Sequence, residues 1–271
     1  MSASHIPNLN TLRRGAGRGR FRGRGGPGAA GENASGAGPA QDRVVQGTDN
    51  DASVSRLSAV SLGYLEDPFA QALTGPGMET RRMPIINRGT YVRTTAIDHL
   101  VHHFLSSPSA TQKKQIISLG AGSDTRVFRL LSSRPRPDII YHELDFAVNT
   151  TSKIKFIRAS PLLQRSLGPD VTISPAGDAL HSPEYHLHPV DLRTLAAAAA
   201  ASTPNTNKDI LPFVDTTLPT LLISECCLIY LTPTEASGVI RYFTEVLFPA
   251  AATTTTTTTP PDRPTVRPPS A

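Results

Sequence analysis

Gly120 and Gly122 close an apolar run, Gln115-Ile-Ile-Ser-Leu-Gly-Ala-Gly-Ser-Asp-Thr-Arg126, at the point where a strand would give way to a helix. Without a Cβ, each glycine lets a ligand approach the main chain, and such a turn presents backbone N–H groups. About 20 residues later, the spacing typical of ribose sites, the apolar segment Tyr141-His-Glu-Leu-Asp-Phe146 ends on an acid, Asp145. A glycine turn after one strand and an acid after the next form the pattern that holds a ribose-bearing cofactor. Gly-x-Gly alone occurs in many turns. The strand before it and the acid after it give the pattern its weight.

The same turn constrains the cofactor. It reads Gly-Ala-Gly-Ser-Asp and lacks the third glycine of the dinucleotide fingerprint. Asp124 falls where a pyrophosphate would lie, and an anion there repels phosphate. S-adenosylmethionine carries a ribose, an adenine, a sulfonium and an amino-acid end, and no phosphate. It is the cofactor this turn predicts.

The elements that must position these residues follow from apolar spacing. Val54, Leu57, Val60, Leu62 and Leu65 recur at helical intervals, and Met78 to Arg88 reads as a polar connection. Tyr91 to Leu105 is a second helix. Strands are expected at Ile116–Leu119, Ile139–Leu144, Tyr185–Val190 and within Thr220–Leu231, each followed by a helix. The last of these is the most apolar and is expected to be central in the sheet. Alternating strands and helices predict a parallel sheet with right-handed crossovers. The fold class is therefore α/β: a Rossmann-like parallel sheet with helices on both faces.

The flanks differ in composition. Residues 1–50 are rich in Gly, Arg, Ala and Ser and are expected to be disordered. Residues 51–249 carry the domain, and residues 250–271, with Thr253–Thr259 and several prolines, form a second disordered tail. The net charge of +5 and the isoelectric point near 9.5 reside in the arginines of the first tail. They do not argue for a nucleic-acid-binding fold. Gly17–Gly26 resembles an arginine–glycine-rich RNA-contacting segment, though one short block weighs more as a solvated tail.

Cys226 and Cys227 are the only cysteines, adjacent in an apolar strand, which excludes a disulfide or zinc framework. No run reaches the ~18–20 apolar residues of a membrane span, and the N-terminus lacks the apolar core of a signal peptide. The expected location is cytoplasmic, and nuclear as a second compartment. The histidines, His99, His102, His103, His181, His186 and His188, show no metal-ligand spacing and are expected to be solvated or in the core.

Five blocks in order carry a resemblance: Ser61–Pro68, Ile86–Arg93, Leu119–Arg126, Glu143–Phe146 and Leu222–Pro233. From about Ala52 to Phe248 the chain resembles the leucine carboxyl methyltransferases, which implies a Rossmann-like sheet of the class I S-adenosylmethionine-dependent methyltransferase type. The resemblance implies methylation of the C-terminal leucine carboxylate of the type 2A protein phosphatase catalytic subunit. A monomer with no membrane partner is expected. The resemblance also implies roles for named positions. Arg56 and Arg93 would lie at the amino-acid end of S-adenosylmethionine, with Arg93 on its carboxylate. Gly120, with Gly122, would pass close to the cofactor, and Asp145 would accept from the ribose hydroxyls. Asp191 and Leu192 would contact the adenine, Glu225 the methionine part, and Tyr230 the substrate.

Residue chemistry is compatible with these roles, since arginine grips carboxylates in a fork and an acid at a strand end suits two adjacent hydroxyls. The alternatives stay open: Arg93 as a surface helix arginine, Asp145 as a helix cap, Glu225 as a satisfied core acid. An α-carboxylate is ionised at neutral pH, so no catalytic base and no metal is expected. Against the family pattern, the later strands of the sheet are missing, replaced by threonine and proline repeats. The chain therefore reads as C-terminally truncated, with an unpaired edge beside its fourth strand. Two other readings stand beside this one. The first is the wybutosine tRNA carboxyl methyltransferase, which shares the glycine and Asn-Arg-Gly blocks. The second is an inactive fragment that binds RNA or protein through its Arg/Gly tail.

Overall fold

The computed structural model describes residues 39–109, 111–201 and 210–249. Most of the first expected tail and all of the second lie outside them. The sheet order is β3-β4-β5-β2-β1-β6, with strands β1 (Lys114–Leu119), β2 (Ile139–Asp145), β3 (Thr172–Ile173), β4 (Leu180–His181), β5 (Tyr185–Pro189) and β6 (Thr220–Ser224). β5, β2, β1 and β6 run parallel, and β4 pairs antiparallel with both β5 and β3.

Side chains of a strand alternate between faces, and the core divides accordingly. Ile116, Tyr141 and Tyr185 join Phe128, Leu131, Ile154 and Leu163 in one cluster, under helices α3 (Arg126–Ser132), α4 (Ala147–Ala159) and α5 (Pro161–Leu167). Ile117, Leu119 and Leu144 join Leu195, Val239 and Tyr242 in the other. That face lies under α6 (Leu192–Ala201), α7 (Pro233–Arg241) and a π-helical turn at Tyr242–Leu247. Helices thus cover both faces, as expected. α7 starts at a capping box: Thr232 Oγ1 accepts from the Glu235 N–H, and Glu235 accepts from the Thr232 N–H at 2.8 Å.

Four expectations need correction. The first helix, α1 (Pro39–Ser61), begins well before Ala52, so residues 39–50 are helical rather than part of a tail. Its polar first half is held by partners on the rest of the domain, which composition does not reveal. The second helix, α2 (Pro84–Ser106), takes in half of the expected polar connection because Pro84 presets its first turn. β6 is an edge strand among the described residues and not a central one. Its apolarity reports two covered faces, not two strand neighbours. Finally, β3 and β4 have only two residues each, too short to give a periodic signal.

The register brings the strand ends together. Leu119 is level with Leu144 and Ser224, and Asp145 is level with Pro189. The chain moves outward from β1 to β2 and β5, then returns to the other side of β1 for β6. The crevice at such a reversal is where open α/β sheets place ligands.

Candidate functional site

At the carboxyl ends of the strands, the turn after β1 folds on two positive-φ glycines, Gly120 at +60° and Gly122 at +45°. Its N–H groups all point into the protein. Gly120 N–H donates to the Leu144 carbonyl at 2.8 Å and Asp124 N–H to the Ala121 carbonyl at 2.9 Å. Gly122 N–H donates to Asp145 Oδ2, and Ser123 N–H to Asp49 Oδ1, both at 2.7 Å. A phosphate finds no donor here. The physical reason differs from the one read in the sequence. Asp145 and Asp49 occupy the turn, while the Asp124 side chain turns inward to Arg56 and Arg126. Those cations, with Lys153 and Arg129, outweigh burial and hold the Asp124 carboxyl well below its usual range.

Asp145 ends β2 at the expected place. Its Oδ1 also accepts from the Phe146 N–H at 2.7 Å and from Asn149 Nδ2 at 2.9 Å. Burial pushes its carboxyl pKa up against the pull of these bonds, with the nearby Asp49 charge adding to the rise. These three bonds take three of the roughly four acceptor sites of a carboxylate and leave one, on Oδ2, for a ligand hydroxyl.

The room that the glycines leave is filled by this chain's own side chains. A Cβ on Gly120 would stand 2.5 Å from Cys227 Sγ, and one on Gly122 would collide with the Asp49 carboxylate. The two cysteines lie beyond the end of β6, not within a strand, and Cys226 is exposed with a φ of +51°.

Glu225 follows β6 directly. Its Oε1 is 2.7 Å from Arg93 Nε, and its Oε2 accepts from Arg126 Nη2 at 3.2 Å. Arg93 is the more exposed partner, with its side chain 40% accessible against 17% for Glu225. The structure thus brings Arg93 and Glu225 together, 132 positions apart in the chain by subtraction of their numbers. Arg56 is buried and committed to Asp67 at 3.2 Å and Asp124 at 3.5 Å, so it faces the turn through Asp124.

Asp191 and Leu192 follow β5, whose last residue is level with Asp145. Leu192 packs into the core below Leu144 and Leu195. The Asp191 carboxylate is taken by Arg193, whose guanidinium lies 5.7 Å from the Phe146 ring centroid and forks onto Asp42 of α1 with two 2.9 Å bonds. Tyr230 sits on a short 3₁₀ turn, Leu228–Tyr230, five residues beyond Glu225 by number, and is exposed.

Several residues here escaped the sequence reading. Asp42 and Asp49 are two of them, and they precede the expected Arg56 at seven-residue steps on one stripe of α1. The partners of these three, Arg193, Ser123 and Asp124, lie along the strand ends, so α1 crosses over the carboxyl side of the sheet. The seven-residue spacing was the available signal. Buried Lys153 donates to Glu143 at 2.6 Å and to the Asp124 carbonyl at 2.8 Å, tying the turn to β2. Among the described residues, no group of three or more metal-ligating side chains occurs.

The donor set suits a phosphate-free nucleoside cofactor. Asp145 and Glu225 offer acceptors, Arg93 offers a forked cation, and the turn offers phosphate nothing.

Comparison with known proteins identifies the family. The family model for leucine carboxyl methyltransferase matches residues 45–244. Leucine carboxyl methyltransferase 1 of Aspergillus fumigatus is 66% identical over an alignment covering 97% of this chain and 72% of that protein. The protein of the same name from Emericella nidulans is 67% identical, with 93% and 67% covered. An Arabidopsis thaliana homolog is 39% identical, with 73% and 57% covered.

Proposed function

The chain belongs to the leucine carboxyl methyltransferase family and is a methyltransferase, and we propose that it esterifies the C-terminal leucine carboxylate of a protein. The type 2A phosphatase catalytic subunit is the proposed substrate and S-adenosylmethionine the proposed donor. The observation that carries this reading is the pair Glu225–Arg93 beside a glycine turn whose N–H groups are already satisfied.

Bound S-adenosylmethionine supplies a methyl group on a sulfonium sulfur. In the proposed arrangement Asp145 accepts from a ribose hydroxyl through its remaining Oδ2 site. Arg93 grips the cofactor carboxylate with two parallel bonds, and Glu225 accepts from its ammonium. Asp191 and Leu192 border the adenine, with Phe146 beside them. Arg56 acts from behind, through Asp124. Tyr230 lies where an extended peptide end can reach it.

The acceptor carboxylate needs no base, since an α-carboxyl with a pKa near ~3.5 is ionised at neutral pH. The chain's task is alignment of oxygen, methyl and sulfur and exclusion of water. Incubation with the phosphatase catalytic subunit and methyl-labelled S-adenosylmethionine tests the proposal. Alkali-labile label is expected on the intact subunit and none on a subunit lacking its C-terminal leucine. Equal labelling of both, or of neither, overturns it.

A further inference from the structure

Arg126 is the most deeply buried cation of the site, 1% exposed at the start of α3. Its guanidinium meets three acids from three separate segments. Nε donates to Asp98 of α2 at 2.9 Å, Nη1 contacts Asp124 of the glycine turn, and Nη2 donates to Glu225 at 3.2 Å. Burial opposes the charge, but Asp124, Glu225 and Asp98 outweigh it and shift the guanidinium's pKa upward.

Glu225 depends on this contact. It lies past the last ladder residue, Ser224, and before the left-handed Cys226, so no strand pairing holds it. Among the described residues, its carboxylate is ion-paired only with Arg126 and Arg93. Arg126 holds one oxygen from the buried side and leaves the other for Arg93. Without Arg126, both oxygens of Glu225 are free to take the Arg93 fork as a bidentate pair. Arg93 would then be drawn inward.

We propose that Arg126 is a positioning residue for the amino-acid end of the cofactor, acting through Glu225 on Arg93. The inference rests on the cofactor reading given above and adds to it the group that sets the geometry of the Arg93–Glu225 pair. Arg126 itself touches no ligand. It sets how the two groups that would do so pair with each other.

The test compares two ligands by calorimetric titration. S-adenosylmethionine has the amino-acid end, and 5′-methylthioadenosine keeps the nucleoside without it. For Arg126→Met, the dissociation constant for S-adenosylmethionine should rise about tenfold or more, the worth of one charge-assisted hydrogen bond. That for 5′-methylthioadenosine should stay within about twofold. Adding Glu225→Gln to Arg126→Met should then cost little more, because the two act in series. Where Arg126→Met does not fold, Arg126→Lys carries the same comparison, since lysine keeps the charge but offers one point donor instead of a fork.

Equal weakening for both ligands means a merely structural residue and overturns the proposal, as does full additivity with Glu225→Gln. A parent chain that binds 5′-methylthioadenosine but not S-adenosylmethionine overturns both this proposal and the cofactor reading. A parent chain that binds both, with Arg126→Met indifferent to the amino-acid end, overturns the positioning role alone.

Discussion

Asp49 Oδ1 accepts from both the backbone N–H and the hydroxyl of Ser123, each at 2.7 Å, and thereby pins α1 to the glycine turn. The same carboxylate occupies the volume that a Gly122 side chain would need. Gly122 is thus required by α1 as well as by its left-handed backbone.

Gly122→Ala should cost roughly 2–4 kcal/mol, from the positive φ and the collision together. Asp49→Ala alone should cost about 1–2 kcal/mol, from the lost bonds to Ser123. In the Asp49→Ala background, Gly122→Ala should cost only the backbone share, about 1–2 kcal/mol. Urea midpoints of the four chains measure this. A Gly122→Ala cost that is unchanged by removing Asp49 contradicts the contact.

Helices α6 and α7 meet at Gly238, where a Cβ would stand 2.8 Å from Ala196 Cβ and 3.1 Å from its Cα. A glycine inside a helix usually gives about 0.5–1 kcal/mol when changed to alanine. Here Gly238→Ala should instead destabilise by about 1–3 kcal/mol, because the obstacle is backbone. A higher melting temperature in that variant contradicts the packing.

Lys153 and Glu143 form a buried pair at 2.6 Å, and Tyr185 donates to the same Glu143 oxygen at 2.7 Å. Burial raises the Glu143 carboxyl pKa despite the opposing pull of Lys153. Lys153→Met should cost about 3–5 kcal/mol by stranding the acid and releasing the Asp124 carbonyl. Adding Glu143→Gln should recover part of that loss. Chemical denaturation reads both, and a loss under ~1 kcal/mol for Lys153→Met contradicts the pairing.

His142 and His188 share a 3.0 Å contact, and His142 reaches Gln115 Oε1 at 3.1 Å. Neutral rings satisfy this chain, with Nε2–H of His142 donating to Gln115 and Nδ1 accepting from His188. Burial, and then the neighbouring histidines, push His142 down to about 2, His188 to about 3 and His186 to about 4. The unfolded chain therefore takes up these protons near pH 6.5 while the folded chain does not. Stability is full above pH 6.5 and is lost as pH falls toward 4, by about 1.4 kcal/mol per pH unit for each ring. Asp145 and Glu143, both raised, work in the opposite sense at the lower end of that window. Urea midpoints at pH 7.5 and pH 5 should differ clearly, and less so in His142→Gln. A flat profile contradicts the buried neutral cluster.

The parts of the site on the sheet were legible in the chain. The positions of Gly120 and Asp145 follow from where apolar runs end, and apolar runs mark the strands that the sheet buries; Glu225 lies inside an apolar run of the sequence and was pointed to by the family resemblance alone. What was hidden depends on pairing across distance. Asp49 meets Ser123, and Arg126 meets Glu225, from segments with no shared periodicity. Arg126 and Lys153 are buried cations, which a scan for apolar spacing reads as exposed. The first half of α1 was read as a tail because its polar residues gain their stability from Arg193 and the glycine turn, not from local propensity.

The central claim is that the turn holds a nucleoside cofactor without phosphate, and calorimetric titration of the purified chain with S-adenosylmethionine and with NAD tests it most directly. The account predicts saturable binding of S-adenosylmethionine, no binding of NAD, and loss of binding in Asp145→Ala with α1 and the sheet intact by circular dichroism. Binding of NAD, or binding of S-adenosylmethionine that survives Asp145→Ala unchanged, would contradict it.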